Sequence, residues 1–425
     1  MRITLTYVIL EIVRRYGAIP LFIVLVIASV LALRFLSKVP GRSHHDTLLG
    51  FGVFLCSVAL AFALAPAAWN SGVHLFQVVR GALSIPPSVS GPLRVAEARI
   101  ALAPPSNTKP EGESILVHFF YPTAADPDRS ASDDAQNFCR QIDRLSFAPT
   151  EQPYPLVLLA PGLFGIPSSM ALLARNLASH GYVVAGIDDP ARDPPSKDAS
   201  AADEEIRLRP FDFSSAEGLE ATMRRSGLRV KRVASRGLTV LDRLEECMAQ
   251  SATLRARVEL TRVGFVGFSF GGSAAVESSF TDSRIAAVVN LDGSLFGRAA
   301  EGPVKIPYLM MHSDFSRQLL YDPNSRYLYD FLLDQNDLRL VEVQAKFPES
   351  HLFVIRNSFH ATFGDPVPEL QNFLKWLLLD PSRSRAIIDA YLTGFLDTYL
   401  KGDRRGLLSA NDPRYPEVRA LNSRD

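Results

Sequence analysis

Apolar residues are spread unevenly along this chain, and their spacing divides it. From Gly17 to Leu36 the sequence is nearly all apolar (GAIPLFIVLVIASVLALRFL), and from Thr47 to Ala68 it is uncharged throughout (TLLGFGVFLCSVALAFALAPAA). Each run matches the roughly twenty residues a helix needs to cross a bilayer. The short polar link from Ser37 to Asp46 predicts a helical hairpin of two transmembrane spans, 17–36 and 47–68, with both chain ends on one side. The polar start before Gly17 and the second run argue against a signal peptide. Arg2, Arg14 and Arg15 flank the first span outside the hairpin, and Arg34, Lys38 and Arg42 flank it within. The charge bias is therefore balanced and leaves the side of the membrane open. Residues 69–84 read equally as an amphipathic interfacial helix or a linker helix.

After Pro86 and Pro87 the periodicity turns globular. Arg94–Leu102 and Ser114–Tyr121 read as strands, and 122–150 as a polar, proline-containing loop. Tyr154–Ala160 (YPLVLLA) is a short continuous apolar run ending in Pro161-Gly162, the pattern of a strand buried on both faces. A helical stretch (SSMALLARNLASHGY) and a strand at 182–188 follow, making a β-α-β unit and hence a parallel sheet. Residues 188–213 form a charged, proline-rich crossover or lid, and Leu219–Met248 has helical periodicity. Further short apolar runs at 285–292, 307–314 and 351–358 deliver polar residues at their carboxyl ends, where open α/β sheets bind ligands. Residues 315–350 read as an inserted helical region, and 367–379 and 384–400 as closing helices. The expected organisation is a membrane anchor at 1–80, an α/β domain at 85–402 and a polar tail at 403–425.

Composition narrows the function classes. The 425 residues suffice for one large α/β domain with a sizeable core. With 45 basic and 45 acidic residues the formal charge is zero, so no field recruits nucleic acid. Cys56, Cys139 and Cys247 are too few and too scattered for a disulfide framework or a zinc site. A Cys139–Cys247 bridge is neither required nor excluded by the sequence.

The chemistry centres on Val263–Ala275 (VGFVGFSFGGSAA). A valine- and phenylalanine-rich run meets Gly-x-Ser-x-Gly-Gly, and small helix-compatible residues follow. Strand, tight turn and helix start in that order define a nucleophile elbow, with Ser269 as nucleophile and Gly267 and Gly271 as structural glycines. The bland alternative is a glycine-rich turn with an incidental serine. A serine nucleophile needs a base, and the base an orienting acid, in the chain order Ser, acid, His. Of His312, His351 and His360 downstream, only His360 lies past a strand end on the loop before the closing helices. Asp292 and Asp314 both end predicted strands, and periodicity leaves them level. Backbone N–H groups of Phe270 and of Leu163, after Gly162, are the expected oxyanion donors.

Taken together, YPLVLLAPGLFG, LASHGYVVAGID, GFSFGG, VVNLDGSLF, PYLMMHSDF and IRNSFHATFGD resemble the platelet-activating factor acetylhydrolase family of lipoprotein-associated phospholipases A2 and their bacterial relatives. They run in the family's order over most of 90–400. The resemblance implies an α/β-hydrolase fold, with the nucleophile on Ser269, the acid on Asp292, the base on His360 and oxyanion donors on Leu163 and Phe270. It thus favours Asp292 over Asp314. Two departures stand out. Pro161-Gly162 replaces the family's usual His-Gly and resembles cutinase-like polyesterases, and the family's secreted members lack a membrane hairpin.

The resulting expectation is a membrane-anchored serine esterase, needing no metal or cofactor, with a lipid or small ester as substrate and the bilayer as partner. The resemblance implies short or oxidised acyl chains on a phospholipid. The rivals are a cutinase-like or dienelactone-hydrolase-like carboxylesterase on soluble or polymeric esters, an acyltransferase, and a catalytically silent membrane scaffold. No motif bears on oligomeric state.

Overall fold

The computed structural model describes residues 89–103, 114–124, 138–163, 165–188, 212, 215–314, 337, 339–365 and 379–421. The two apolar runs at 17–36 and 47–68, the segment 315–336 and all but the last residue of the expected helix at 367–379 lie outside them. Among the described residues no helix is long and apolar enough to cross a membrane. The chain divides into two compact units, 1–85 with 368–382 and 86–367 with 383–425. The second holds every element described below, apart from the first two residues of its last helix.

That unit is built on a nine-stranded sheet. Its strands are β1 (Val95–Leu102), β2 (Ile115–Pro122), β3 (Tyr154–Ala160), β4 (Val183–Gly186), β5 (Val258–Phe268), β6 (Ile285–Leu291), β7 (Tyr308–Ser313), β8 (Ser350–Ile355) and β9 (Val418–Ala420). The spatial order is β1-β2-β4-β3-β5-β6-β7-β8-β9. β3 to β8 are mutually parallel, while β1, β2 and β9 attach antiparallel. All seven residues of β3 are buried, as expected of a strand covered on both faces.

The helices that frame it include α1 (Phe138–Asp143), α2 (Ala171–Ser179), α3 (Ala216–Gln250), α4 (Ala252–Arg255), α5 (Phe270–Ser279) and α6 (Pro381–Leu396). Consecutive residues of β5 show how they sandwich the sheet. Gly264 faces Leu396 of α6 and Leu400 beyond it, whereas the ring of Phe265 meets Gly237 of α3 on the other face. Alternation of side chains along a strand dictates that split. Fully burying one such phenylalanine stabilises the fold by roughly 1.5–3 kcal/mol. Antiparallel β2, a reversed strand order and helices on both faces make this an α/β-hydrolase topology.

Two stretches differ from their reading as irregular segments. The loop expected over 122–150 carries α1, whose Cys139 is disulfide-bonded to Cys247 near the end of α3 (Cα–Cα 5.0 Å). The stretch after Lys401, polar enough to read as a tail, supplies β9, which pairs through Ala420, Arg419 and Val418 with Phe353, Val354 and Ile355 of β8. A three-residue strand carries too short an alternation to register as a pattern.

Candidate active site

The elbow is made by crowding. β5 ends at Phe268 and α5 begins at Phe270, leaving Ser269 alone to reverse the chain at φ 55°, ψ −122°. A serine there is strained and persists only because its surroundings hold it. Its N–H donates to the Leu291 carbonyl at 2.9 Å, and its own carbonyl accepts from Gly272 N at 2.9 Å and Ser273 N at 3.2 Å. A Cβ on Gly267 would stand 1.9 Å from the Gly271 carbonyl oxygen, and one on Gly271 would stand 2.1 Å from that of Ala160. Strand, helix and the end of β3 cross too closely for any side chain.

Ser269 Oγ lies 3.0 Å from His360 Nε2, and His360 Nδ1 donates to Asp292 Oδ2 at 2.8 Å. The three residues come from the carboxyl ends of β5, β6 and β8, widely separated in sequence and brought to one end of the sheet. A carboxylate only accepts, so His360 Nδ1 carries the hydrogen and Nε2 presents its lone pair to the serine hydroxyl.

His360 opens a short 3-10 turn, His360–Phe363. Phe359 N–H donates to Thr362 Oγ1 at 3.0 Å, and the imidazole packs on the Phe268 ring with centroids 4.8 Å apart. Just beyond, Asp365 N–H donates to the Ser169 carbonyl at 2.8 Å, and its Oδ2 accepts from Leu172 N at 2.9 Å in the first turn of α2. Arg385 of α6 donates to the Gly364 carbonyl at 3.1 Å. The base thus sits on a loop tied to a helix on either side of it.

Asp292 is as constrained as the serine. Its backbone takes φ 55°, its N–H donates to the Met311 carbonyl at 2.9 Å, and Asn290 clamps the next residue through Gly293 N (2.8 Å) and O (2.9 Å). Only 1% of its side chain is exposed. Oδ1 accepts from Ser313 N at 2.7 Å and lies 3.2 Å from His312 Nδ1. Burial opposes ionisation. The charge of His312, the hydrogen bond and charge of His360, and the Ser313 N–H outweigh it, holding Asp292 at about 2.

Asp314, the other acid expected at this end of the sheet, goes elsewhere. Its Oδ2 accepts from Asn357 N at 3.0 Å, bracing a turn in which Asn357 has φ 59°. The geometry therefore brings Ser269, His360 and Asp292 together and leaves Asp314 as a loop brace. Phe270 is buried, stacked on Phe296 with centroids 5.2 Å apart and with the Arg229 guanidinium 5.5 Å from its ring centroid. Its N–H belongs to the first residue of α5, where the helix dipole favours negative charge. A Cβ on Gly162 would lie 3.1 Å from Ser269 Cβ, so the turn carrying Leu163 abuts the elbow.

Four contributors escaped the sequence reading: His312, Asn290, Asp365 and Arg385. Asn290 had a legible signal, since Asn two residues before Asp-Gly at a strand end favours a side-chain-to-backbone turn. Asp365 and Arg385 act across long sequence separations, which no local pattern reveals.

Comparison with known proteins bears on this arrangement. The family model for platelet-activating factor acetylhydrolase, isoform II, matches residues 139–375, more than half of the chain. The chain belongs to this family. Its members are serine ester hydrolases. The platelet-activating factor acetylhydrolase of Cavia porcellus is 25% identical over 280 residues, covering 60% of this chain and 59% of the relative. That of Bos taurus is 22% identical over 231 residues, covering 51% and 49%. The alignments thus span about half to three fifths of these curated relatives. Among solved structures, the ferulic acid esterase from Streptomyces cinnamoneus superimposes with a TM-score of 0.55 at 23% identity, over 79% of this chain and 98% of its own. That likeness concerns the fold.

Proposed function

We propose that this protein is a serine esterase that hydrolyses short or oxidised acyl esters of phospholipids through an acyl-enzyme. The observation that carries the reading is the unbroken hydrogen-bond line from Ser269 Oγ through His360 to Asp292. In this mechanism His360 Nε2 takes the serine proton as Oγ attacks the ester carbonyl. Asp292 keeps the imidazole in the required tautomer and stabilises the imidazolium that forms. The N–H groups of Phe270 and Leu163 stabilise the oxyanion, where preorganised donors are worth roughly 3–4 kcal/mol each. His360 returns its proton to the leaving alcohol, and water repeats the sequence to free the acid. Membership in the acetylhydrolase family supports the ester class.

The apolar runs at 17–36 and 47–68 support a two-span anchor that keeps the enzyme beside lipid. The Cys139–Cys247 bridge supports a catalytic unit facing an oxidising compartment, since disulfides persist there and are rare in the cytosol. Retention of the full-length chain in carbonate-washed membranes tests the anchor, and its release into the wash would refute it.

The activity is tested by hydrolysis of a short-acyl phospholipid and a matched soluble ester by full-length protein in detergent, beside Ser269→Ala. Preference for the phospholipid, abolished in the variant, is the expected result. Serine-dependent turnover of the soluble ester alone would make the protein a general carboxylesterase, the reading that Pro161-Gly162 favours. Absence of fluorophosphonate labelling would overturn the esterase reading altogether.

A further inference from the structure

The acid of the serine–histidine–aspartate line has a second imidazole on its other oxygen, and nothing in the proposed reaction uses it. His312 Nδ1 lies 3.0 Å from the Ser313 carbonyl oxygen and 3.2 Å from Asp292 Oδ1. Both neighbours are acceptors, so Nδ1 carries a hydrogen, bonded to the Ser313 carbonyl with Asp292 Oδ1 as a longer second acceptor. The ring is 19% exposed and the carboxylate 1%, so His312 bridges a buried anion and the surface. Asp292 is therefore gripped from both sides, by His312 and the Ser313 N–H at Oδ1 and by His360 at Oδ2.

Resting on the triad reading above, we infer that His312 is a positioning residue for the reaction: its Nδ1–H fixes the rotation of the Asp292 carboxylate and draws off part of its charge, setting how strongly Asp292 pulls on His360. Two physical facts make this more than packing. The terminal torsion of aspartate is broad, so with the Ser313 N–H and His360 holding one oxygen each the carboxylate can still tilt about the line between them. A third donor on a different vector removes that freedom. In addition, a carboxylate whose Oδ1 accepts the Ser313 N–H and faces the His312 ring is a weaker partner for the hydrogen bond at Oδ2. His312 therefore moderates how strongly Asp292 pulls on the His360 Nδ1–H, and the pH profile of the reaction reads that pull.

The titratable groups that close on this carboxylate come from each neighbouring element. His312 and Asp314 lie at the end of β7, His360 is in the turn after β8, and Ser269 stands at the elbow. Asp314 is turned to the Asn357 N–H, and among the described residues the two imidazoles are the charges acting on Asp292.

The test compares His312→Leu with His312→Asn, whose side-chain amide returns an N–H donor near the Nδ1 position. For His312→Leu, kcat is expected to fall about tenfold with KM unchanged, a small part of the roughly ten-thousand-fold loss that follows when a triad acid no longer directs its histidine. The acid limb of kcat/KM moves to higher pH, and the pKa of His360, followed by NMR on 15N-histidine-labelled protein, moves up with it. His312→Asn restores most of kcat and returns the acid limb toward the wild-type position. Equal losses in both variants, with an unmoved acid limb and an unmoved His360 pKa, would overturn the inference and leave His312 a packing residue. The NMR titration needs no substrate, so it decides the role of His312 even if the ester assay fails. Fluorophosphonate labelling of the wild type separately reports whether the esterase reading stands.

Discussion

Replacing each candidate acid by its amide separates them with a magnitude the geometry supplies. In Asp292→Asn one carboxylate oxygen becomes an NH2 group, which reproduces the native hydrogen bonds of neither oxygen. At Oδ1 it meets two donors, Ser313 N at 2.7 Å and His312 Nδ1 at 3.2 Å. The amide therefore turns its NH2 toward His360, 2.8 Å away, and donates to Nδ1. That forces the imidazole hydrogen onto Nε2, which then faces the Ser269 hydroxyl as a donor and cannot take its proton. A wrong tautomer in otherwise intact geometry costs about ten-thousand-fold in kcat. Asp314→Asn keeps an oxygen for the Asn357 N–H and is expected to change kcat less than about threefold. The same pair has a stability signature. Asp292 is held at about 2 against an ordinary 3.8, worth roughly 2 kcal/mol. A depressed carboxylate contributes stability above its unfolded pKa and loses it as pH falls through the folded one, so the wild type sheds this increment between about pH 4 and pH 2. Asp292→Asn has no such increment to shed, and its urea-unfolding free energy falls less steeply over that window. Turnover under single-turnover conditions and unfolding curves from pH 5 to pH 2.5 give both readouts. A large kcat loss in Asp314→Asn with a small one in Asp292→Asn, or parallel acid unfolding of wild type and Asp292→Asn, would refute the reasoning.

Three further outcomes follow from other parts of the molecule. Gly271→Ala places a methyl 2.1 Å from the Ala160 carbonyl oxygen, backbone against backbone; a loss of at least about 3 kcal/mol is expected, read from the urea midpoint. Removing the Cys139–Cys247 bridge with paired serines opens a loop of 108 residues and is expected to cost ~4 kcal/mol in the chain-entropy account, with reduction of the wild type by dithiothreitol reproducing the shift. Arg385→Met strips the positive charge from partly buried Asp365 and Asp389, both raised by desolvation, Asp389 to about 6. Without the guanidinium both rise further, so at pH 5 they protonate at little cost and at pH 8 they are ionised and uncompensated. The variant is expected to be destabilised more at pH 8 than at pH 5 in thermal melts, and an equal loss at both would refute the assignment.

How much of this was legible in the chain depended on the range of the interactions. The central strands could be read because β3, β5 and β6 are buried on both faces and therefore nearly continuous in apolar residues. The elbow was legible because its glycines answer a steric demand that leaves no alternative residue. Ser269 and His360 emerged from chain order, and the tie between Asp292 and Asp314 yielded only to family resemblance. Both aspartates end neighbouring parallel strands, and what separates them is the rotation of two side chains in space. The contact of His312 with Asp292 runs between adjacent strands and leaves no periodic trace. The Cys139–Cys247 bridge and β9 were hidden for a related reason, since each joins a short, locally polar stretch to a distant partner.

β9 also bears on how the molecule is assembled during synthesis. It is the last described strand to leave the ribosome, after Ser269, Asp292 and His360 have all emerged. Until Val418–Ala420 docks, β8 offers a row of unpaired backbone groups at the edge of a largely parallel sheet, a template for pairing with other chains. Parallel sheets close long loops and form slowly. A nascent or C-terminally clipped chain therefore carries every residue of the triad on a sheet whose final edge is still open, and strand-to-strand association is the hazard of that interval. The short closing strand acts as a built-in cover: its docking turns an adhesive edge into an inert one at the moment the sequence that surrounds the site is complete.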